Sequence, residues 1–190
     1  LGEALTLELV KEIGPDAVII ATGSEPLWPD IPGIDPETVV TARDALMGAT
    51  VGQKIVVIGG GLVGCETADH LAQQGKELTI IEMLRFVGQD VAPAARHFLL
   101  KRLDENGVKA VTSATVTAVT NGDVLVNTKD GEQKLGPFDT IILAAGAKPV
   151  NDLKSELNGM VPSIHVIGDA VSPGKILEAT TQGAAIARGL

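Results

Sequence analysis

The sequence has 190 residues with 15 Lys and Arg against 24 Asp and Glu, which gives a net charge of −9. This acidic balance argues against nucleic acid or an anionic membrane as a partner, and an aromatic content of 2% leaves few rings on which bases could stack. A hydrophobic content of 45% argues against a disordered chain. Because aromatic residues are few, the core must be aliphatic, which suits a parallel sheet covered by helices.

The first 48 residues are predicted to form a helix, a buried strand, a connector and a second helix. Thr6–Ile13 begins with a candidate N-cap and carries apolar residues on one face. Asp16–Ala21 is an apolar run typical of a buried strand. Residues 24–36 hold four prolines, so we expect an irregular connector that Trp28 pins to a domain surface. Thr41–Met47 is predicted as one short helix.

The next stretch, IVVIGGGLVGCETADHLAQQGKELTIIE at residues 55–82, is the most informative part of the chain. Ile55–Ile58 is predicted as a buried parallel strand. The three glycines Gly59, Gly61 and Gly64 have the spacing of a dinucleotide-binding turn. They would permit, in that order, the tight turn, the approach of backbone to a pyrophosphate, and the close packing of the following helix. A glycine-rich turn in another doubly wound protein is the alternative.

Glu82 ends the strand that follows this helix and stands 18 residues after Gly64. That position suits an acid that accepts hydrogen bonds from an adenosine ribose. A negative charge there disfavours a 2′-phosphate, so the sequence predicts NADH in preference to NADPH. Arg85 would offset this charge in part, although a surface arginine is the simpler interpretation.

The chain from residue 93 to residue 144 is predicted as a helix, an antiparallel meander and a strand. Pro93 stands near the start of the helix, where proline is tolerated. Val111–Leu135 alternates between apolar and polar residues about Asn121-Gly122, which predicts an antiparallel meander with a type I′ hairpin and a third strand near Gln133–Leu135. Asp139–Ala144 then resumes a buried strand.

The closing segment is predicted to contain one strand and one helix. After a polar connector at residues 151–162, Ser163–Ile167 is predicted as a strand and Lys175–Arg188 as the final helix.

Asp16–Gly23 and Asp139–Gly146 are similar, because both are buried strands that end in two small residues and a glycine. Such residues leave room for a nucleotide to lie across the carboxyl end of the strand. The alternative is that these are two ordinary strand ends.

Taken in order, the chain carries ATG at 21–23, IPG at 31–33, GGGLVG at 59–64, AAG at 144–146 and GDA at 168–170. This order resembles the pyridine nucleotide-disulfide oxidoreductases, in which an NAD(P) domain is inserted into an FAD domain. The resemblance implies an α/β fold: a Rossmann-like three-layer NAD(P)-binding domain with an antiparallel β-meander, inserted into an incomplete FAD-binding domain. The domains implied are a first FAD segment with linker at 1–48, the NAD(P) domain at 49–150 and a closing FAD segment at 151–190.

A closer resemblance is to the enoate reductases and 2,4-dienoyl-CoA reductases, carried by GGGLVGCETADHLAQQGKELTIIEML, VGQD and IGDAVSPGKILEAT. These NADH:flavin oxidoreductases have an N-terminal barrel with FMN and an iron–sulfur cluster, which receives electrons from the FAD and NAD(P) module. The resemblance implies an oxidoreductase that transfers hydride from NADH to FAD and passes electrons to an upstream reductase domain. The alternatives are a disulfide-reductase-like or NADH-oxidase-like flavoprotein, and a non-enzymatic NAD(H)-binding module.

The resemblance also assigns cofactor-binding residues. Asp169 would bind hydroxyl groups of FAD, the helix that begins near Lys175 would direct its positive end at the flavin, and Ile176 would pack near the ring. Glu66 would lie near the nicotinamide, or is simply a charge at the start of a helix. The NAD(H) residues are Gly59, Gly60, Gly61, Leu62, Val63, Gly64, Glu82 and Gly146. The FAD residues are Ala21, Thr22, Gly23, Gly168, Asp169, Lys175 and Ile176.

The chain departs from the family pattern in having a single GxGxxG, whereas the family's FAD half opens with its own. Since the sequence also begins at Leu1 and not at Met, we expect the C-terminal piece of a longer protein, whose upstream domains are its partners. We expect this piece alone to be inactive, to lack tightly bound FAD, and to self-associate through uncovered sheet edges and helix faces.

Cysteine and histidine offer little further chemistry. The single cysteine, Cys65, excludes an internal disulfide, and its position in the packed helix predicts a buried packing residue. His70, His97 and His165 are scattered without the spacing of metal ligands. We expect no acid–base triad, because the cofactors carry the reaction. No apolar run approaches the length of a membrane span, and we expect a cytoplasmic protein.

Overall fold

The computed structural model describes residue 2, residues 4–35 and residues 37–190. The strands are β1 (Ala17–Ile20), β2 (Ser24–Pro26), β3 (Val40–Thr41), β4 (Lys54–Ile58), β5 (Glu77–Glu82), β6 (Lys109–Thr112), β7 (Thr115–Thr120), β8 (Asp123–Thr128), β9 (Gly131–Leu135), β10 (Thr140–Leu143), β11 (Ala147–Pro149) and β12 (Ser163–Val166). The helices are α1 (Leu7–Ile13), α2 (Ala42–Leu46), α3 (Leu62–Gln73), α4 (Pro93–Glu105), α5 (Leu153–Glu156) and α6 (Ile176–Ala187), with a 3₁₀ turn at Gly168–Ala170.

The chain divides into two compact units. The central unit is Pro26–Gly146, and the terminal unit combines residues 1–25 with residues 147–190. The NAD(P) domain predicted at 49–150 falls largely within the central unit, and its boundaries stay a prediction. Residues before 49 belong to the central unit because β3 pairs with β10 in its sheet and α2 contributes buried residues to the core on that sheet.

A five-stranded parallel sheet forms the middle layer of the central unit, in the order β3-β10-β4-β5-β6. Ile55 of β4 pairs with Leu78 of β5 on one side and with Thr140 of β10 on the other. The odd-numbered apolar residues of β4 face the helices and the even-numbered ones face the meander, as the alternation of a strand requires. A strand covered on both faces favours the β-branched residues found here.

Helices cover one face of this sheet and the antiparallel sheet β7-β8-β9 covers the other. Trp28 packs against the core on the meander side, as predicted. The covering residues are Cys65, Ala68, Leu71, Leu99 and Leu103 on the helix side and Val116, Val119, Val124 and Val126 on the meander side. The α/β class, with a three-layer Rossmann-like domain and an antiparallel meander, is therefore confirmed.

The hairpin between β7 and β8 has the predicted type I′ geometry. Asn121 and Gly122 have φ angles of 51° and 82° and separate the paired residues Thr120 and Asp123. Positive φ at both central residues defines this turn type, which glycine and asparagine tolerate best. The predicted start of the meander at Val111 is wrong, because Val111 lies in β6, which pairs in parallel with β5.

The terminal unit contains a parallel pair of strands, β1 with β12, and a second pair, β2 with β11. α1 has the predicted N-cap, since the Leu9 amide donates to Thr6 Oγ1 at 3.2 Å. A small core in this unit is made by Val10, Ile20, Leu157 and Val161. None of the 12 residues of α6, all of them described, is buried.

Two segments predicted to be irregular contain short regular elements. β2 lies within the connector predicted at 24–36, and α5 lies within the connector predicted at 151–162. β2 forms because β11, distant in sequence, supplies its hydrogen-bonding partner, and Pro26 stands at its end, where proline is tolerated. In the part of the chain that the structure describes, no helix is long and apolar enough to cross a membrane.

Candidate functional site

The carboxyl ends of β4, β5 and β10 meet at one edge of the central sheet, the edge at which parallel α/β folds bind ligands. The glycine turn leaves β4 at this edge, and α3 begins at Leu62. Gly59 has a φ of 105°, and a Cβ on it would lie 2.3 Å from the carbonyl oxygen of Ala144. A Cβ on Gly64 would lie 1.9 Å from the carbonyl oxygen of Gly59. Both positions therefore require glycine.

Gly60 and Gly61 form the part of the turn next to α3. A Cβ on Gly60 would lie 2.7 Å from Val87 Cγ1, whereas the nearest atom to a Cβ on Gly61 is a carboxylate oxygen of Asp90 at 3.3 Å. Gly61 is the N-cap and has no side chain with which to cap the helix, so the first amides of α3 need acceptors from outside the helix. These amides and the bare backbone at Gly61 fit the pyrophosphate of a dinucleotide.

Glu82, at the end of β5, supports the glycine turn. Its side chain is buried, with 7% of the residue exposed. Its Oε2 accepts a hydrogen bond of 2.6 Å from the Gly60 amide, and its Oε1 accepts one of 2.7 Å from the Leu84 amide. Bonds from backbone amides to a carboxylate are strong, so they fix this side chain at the rim of the site. Its bond to an adenosine ribose stays a prediction.

Asp90 also contacts the turn, and the sequence analysis did not single it out as a site residue. The Leu62 amide donates to both of its carboxylate oxygens, Oδ1 at 2.8 Å and Oδ2 at 3.0 Å. The loop that carries it is joined to the turn by the Gly88 amide, which donates to the Gly60 carbonyl oxygen at 2.6 Å. The one signal in the sequence was the VGQD motif, which carries no local pattern that would bring an aspartate to a helix 28 residues away.

Gly146, the remaining predicted NAD(H) residue, lies just beyond β10 with a φ of 102°. Its carbonyl oxygen accepts a hydrogen bond of 3.0 Å from the Leu27 amide. The Ala144 amide in turn donates to the carbonyl oxygen of Ile58 at 2.8 Å, which joins this segment to the start of the glycine turn. The structure therefore brings the glycine turn, Glu82 and the end of β10 to the same edge of the sheet.

Cys65 is fully buried in α3, as predicted for a packing residue. Burial raises the pKa of its thiol to about 11, and the nearby charges of Asp90 and Glu82 also raise it. Its Sγ lies 3.3 Å from the Gly60 carbonyl oxygen and donates to it. A thiol that stays protonated is a poor nucleophile, which disfavours a redox role for this residue behind the turn. Glu66, one residue later, is exposed.

A separate cavity of about 380 Å³ lies in the terminal unit. Six of the seven predicted FAD residues line it, although they come from the two ends of the chain. Thr22 is the exception in the described structure, and its hydroxyl donates to the carbonyl oxygen of Val150. The residues that line the cavity are Ala21, Gly23, Ile167, Gly168, Asp169, Gly174, Lys175, Ile176 and Ala179.

Asp169 is held at the rim of this cavity by hydrogen bonds from both chain segments of the terminal unit. Its Oδ1 accepts from the Gly174 amide at 3.1 Å, and its Oδ2 accepts from the Ser24 hydroxyl at 3.3 Å. Gly168 has a φ of 63°, and its amide donates to Gln182 Oε1 at 2.7 Å. The first turn of α6 starts beside these residues, so its amides add to the donors that could hold a polar group of a nucleotide. This arrangement fits the polar part of FAD.

A family model described as pyridine nucleotide-disulphide oxidoreductase matches residues 3–183 of the chain. Over 192 residues, the chain is 39% identical to an NADH oxidase of Thermoanaerobacter brockii, a match that covers 98% of the chain and 30% of the relative. It is 37% identical to a cinnamate reductase of Clostridium sporogenes, covering 100% of the chain and 29% of the relative. The chain thus spans less than a third of the length of these relatives.

Two solved structures also match nearly the whole of this chain over about a third of their own length. A 2-naphthoyl-CoA reductase in complex with 2-naphthoyl-CoA superposes with a TM-score of 0.88 at 29% identity, over 96% of this chain and 28% of that one. Histamine dehydrogenase from Rhizobium sp. 4-9 gives a TM-score of 0.86 at 26% identity, over 99% of this chain and 32% of that one. These matches support the NADH:flavin oxidoreductase resemblance and the cofactors FAD and NAD(P)H. The chain belongs to the pyridine nucleotide-disulphide oxidoreductase family.

Proposed function

We propose that the chain is the FAD- and NAD(H)-binding part of a flavin-dependent oxidoreductase. In this function, bound NADH supplies a hydride to FAD, and the electrons pass to an upstream reductase domain that acts on enoates or dienoyl-CoA esters. The observation that carries the proposal is the cavity of the terminal unit, which is lined by six of the residues assigned to FAD from sequence alone. A protein that binds only NAD(H) would have no use for this cavity.

The residues of the central unit would bind and orient the nicotinamide dinucleotide. The backbone amides at the start of α3 would receive the pyrophosphate, because Gly61 presents no side chain there. Glu82 would accept hydrogen bonds from the adenosine ribose and would repel a 2′-phosphate, which favours NADH. Gly146 would border the nicotinamide end of the same edge. In the terminal unit, Asp169 would accept hydrogen bonds from FAD hydroxyl groups.

Two observations bear on where the electrons go. The chain has one cysteine, Cys65, which is buried, so these residues supply no redox-active disulfide of their own. A disulfide-reductase-like function is suggested by a dihydrolipoyl dehydrogenase of Bacillus subtilis, which is 31% identical over 82% of the chain. That function would need a redox-active disulfide from outside these residues. An NADH oxidase function is the second candidate, because the Thermoanaerobacter brockii relative carries that name.

The proposed partners are upstream domains of the same polypeptide, which would carry FMN and an iron–sulfur cluster. The support is that the relatives are about three times as long as the matched region. The exposed α6 supports a covering partner or self-association, since an apolar helix face that is left uncovered favours association. The acidic composition and the single cysteine support a cytoplasmic location.

The experiment compares the isolated chain with a longer polypeptide that contains it. We expect the isolated chain to bind NADH in calorimetry but to lose FAD on dialysis, because part of the FAD-binding domain is absent from it. The longer polypeptide should retain FAD, and NADH should bleach the flavin absorbance without oxygen. Reoxidation of that flavin by an enoate or a dienoyl-CoA supports the reductase function, and reoxidation by oxygen alone supports the NADH oxidase function. Stoichiometric flavin on the dialysed isolated chain would contradict the incomplete-site proposal.

A further inference from the structure

The start of α3 is already in contact with an anion that belongs to this chain. Both carboxylate oxygens of Asp90 accept from the Leu62 amide, at 2.8 Å and 3.0 Å. A Cβ placed on Gly61 would lie 3.5 Å from Oδ1 and 3.3 Å from Oδ2 of the same carboxylate. The carboxylate therefore covers the first amide of the helix and the bare backbone of Gly61. These are the groups that would receive a pyrophosphate.

We propose that Asp90 is an affinity-determining residue of the dinucleotide site: its carboxylate holds the phosphate-binding end of α3 in the free protein and turns away when NAD(H) binds. The inference rests on the proposed NAD(H) function of the central unit. Its physical basis is that a carboxylate and a pyrophosphate both prefer the positive end of the helix and repel each other there. Binding of the dinucleotide therefore includes the free energy of displacing Asp90.

The geometry of the loop limits this movement to the side chain. The Gly88 amide donates to the Gly60 carbonyl oxygen at 2.6 Å, and Arg96 Nε and Nη2 donate to the Val87 carbonyl oxygen at 3.1 Å and 2.8 Å. These bonds hold the backbone of the loop against the turn and against α4. Asp90 itself is exposed, so a rotamer change can move its carboxylate into water without opening the core.

Glu82 makes a similar bond but is held differently. Its two oxygens accept from two separate amides, those of Gly60 and Leu84, and only 7% of the residue is exposed. Moving its carboxylate would leave two amides without their acceptor in a buried place, which is costly. Because Glu82 is buried and Asp90 is exposed, Asp90 is the carboxylate at the turn that yields to a ligand.

The test is to remove the charge of Asp90 while keeping an oxygen that can accept from Leu62. Asp90→Asn does this, and Asp130→Asn makes the same change of net charge at an exposed turn between β8 and β9. The probes are NADH and ADP, which carry a pyrophosphate group, and adenosine, which does not. We expect Asp90→Asn to bind NADH and ADP about tenfold more tightly than the parent chain and to bind adenosine equally, with Asp130→Asn unchanged.

The outcomes separate the inference from the function on which it rests. If the parent chain binds NADH and Asp90→Asn binds it equally or more weakly, the inference is overturned and the proposed function stands. If neither protein binds NADH or ADP, both fail. As a measurement that needs no variant, the amide resonance of Leu62 in the parent chain should shift on addition of ADP but not of adenosine. An unchanged resonance with ADP bound would show that Asp90 stays in place.

Discussion

The central and terminal units both place predicted nucleotide-binding residues at the carboxyl ends of parallel strands, but the two units differ in how much core packing supports those residues. In the central unit, β4 is paired on both sides and Ile55, Val56 and Val57 are fully buried. In the described terminal unit, β1 pairs with β12 alone, and Ile176 in the first turn of α6 is 84% exposed. The predicted NAD(H) residues are therefore supported by a core within their own unit, whereas the predicted FAD residues lie on elements with little core behind them.

The largest expected effect comes from adding one methyl group to a helical glycine in each unit. In the central unit, Gly64→Ala would bring a Cβ to 1.9 Å from the Gly59 carbonyl oxygen, so α3 must move away from β4. We expect a loss of about 3 kcal/mol in the free energy of unfolding, followed in urea by the fluorescence of the single tryptophan, Trp28.

The matched variant in the terminal unit is Gly183→Ala in α6. The nearest atom to its Cβ is Ile167 Cδ1 at 3.8 Å, an ordinary van der Waals contact. Alanine is the better helix former, so we expect a gain of about 0.5–1 kcal/mol, measured by circular dichroism in urea. A stable Gly64→Ala variant would contradict the close approach of α3 to the turn, and a large loss in Gly183→Ala would show that α6 is more tightly packed than its exposure indicates.

Hydrogen exchange measures the difference in protection between the two units without any substitution. The amides of β4 should exchange about a hundredfold more slowly than those of β1, because protection follows burial and pairing on both sides. Addition of excess FAD should slow exchange in β1 and β12 and leave β4 unchanged, since a ligand stabilises the unit to which it binds. Equal protection of β1 and β4 in the free chain would remove the distinction between the two units.

Local patterns predicted those features that depend on neighbours in sequence. The N-cap at Thr6, the type I′ hairpin at Asn121-Gly122 and the helix that starts at Pro93 each follow from the conformational preferences of a few adjacent residues. The glycine turn was predictable from the spacing of its three glycines. Of the close approaches that they permit, that of Gly64 to the Gly59 carbonyl oxygen lies within the turn itself, whereas that of Gly59 to Ala144 does not. The resemblance added the FAD residues, six of which line one cavity.

The features that were missed depend on partners far away in the chain. β2 forms only by pairing with β11, and nothing in its proline-rich segment indicates that partner. Val111 alternates like a meander residue, but its strand β6 adds to the edge of the parallel sheet. Asp90 reaches the Leu62 amide across 28 residues, because the loop after β5 folds back over the turn. Spacing in sequence carries no information about such contacts.

A smaller change is expected in the preference for NADH over NADPH, which tests the role of Glu82 in the central unit. Glu82→Gln removes the charge that would repel a 2′-phosphate, so the preference for NADH over NADPH should fall about tenfold, measured by calorimetry. Since glutamine can accept from only one of the two amides, the free energy of unfolding should also fall by about 1–3 kcal/mol. The control is Glu77→Gln at the exposed start of the same strand, which should change neither quantity. An unchanged preference in Glu82→Gln would remove this residue from cofactor selection.

The smallest effect concerns Asp139, at the amino end of β10 and thus at the edge of the central sheet opposite the site. Its Oδ2 accepts from the Lys54 amide at 2.7 Å and the Gln53 amide at 3.0 Å, and these bonds, the first more than the second, lower the pKa of its carboxyl below the usual 3.8. A lowered pKa in the folded state means that the stabilisation is present above the ordinary pKa and is lost as the pH falls through the folded value. Asp139→Asn should therefore be less stable than the parent chain at neutral pH, and the difference should shrink at about pH 3. Urea denaturation at the two pH values measures this, with Asp130→Asn as the exposed control. A difference that stays constant between them would mean that the two amide bonds do not favour the charged carboxylate over the neutral form.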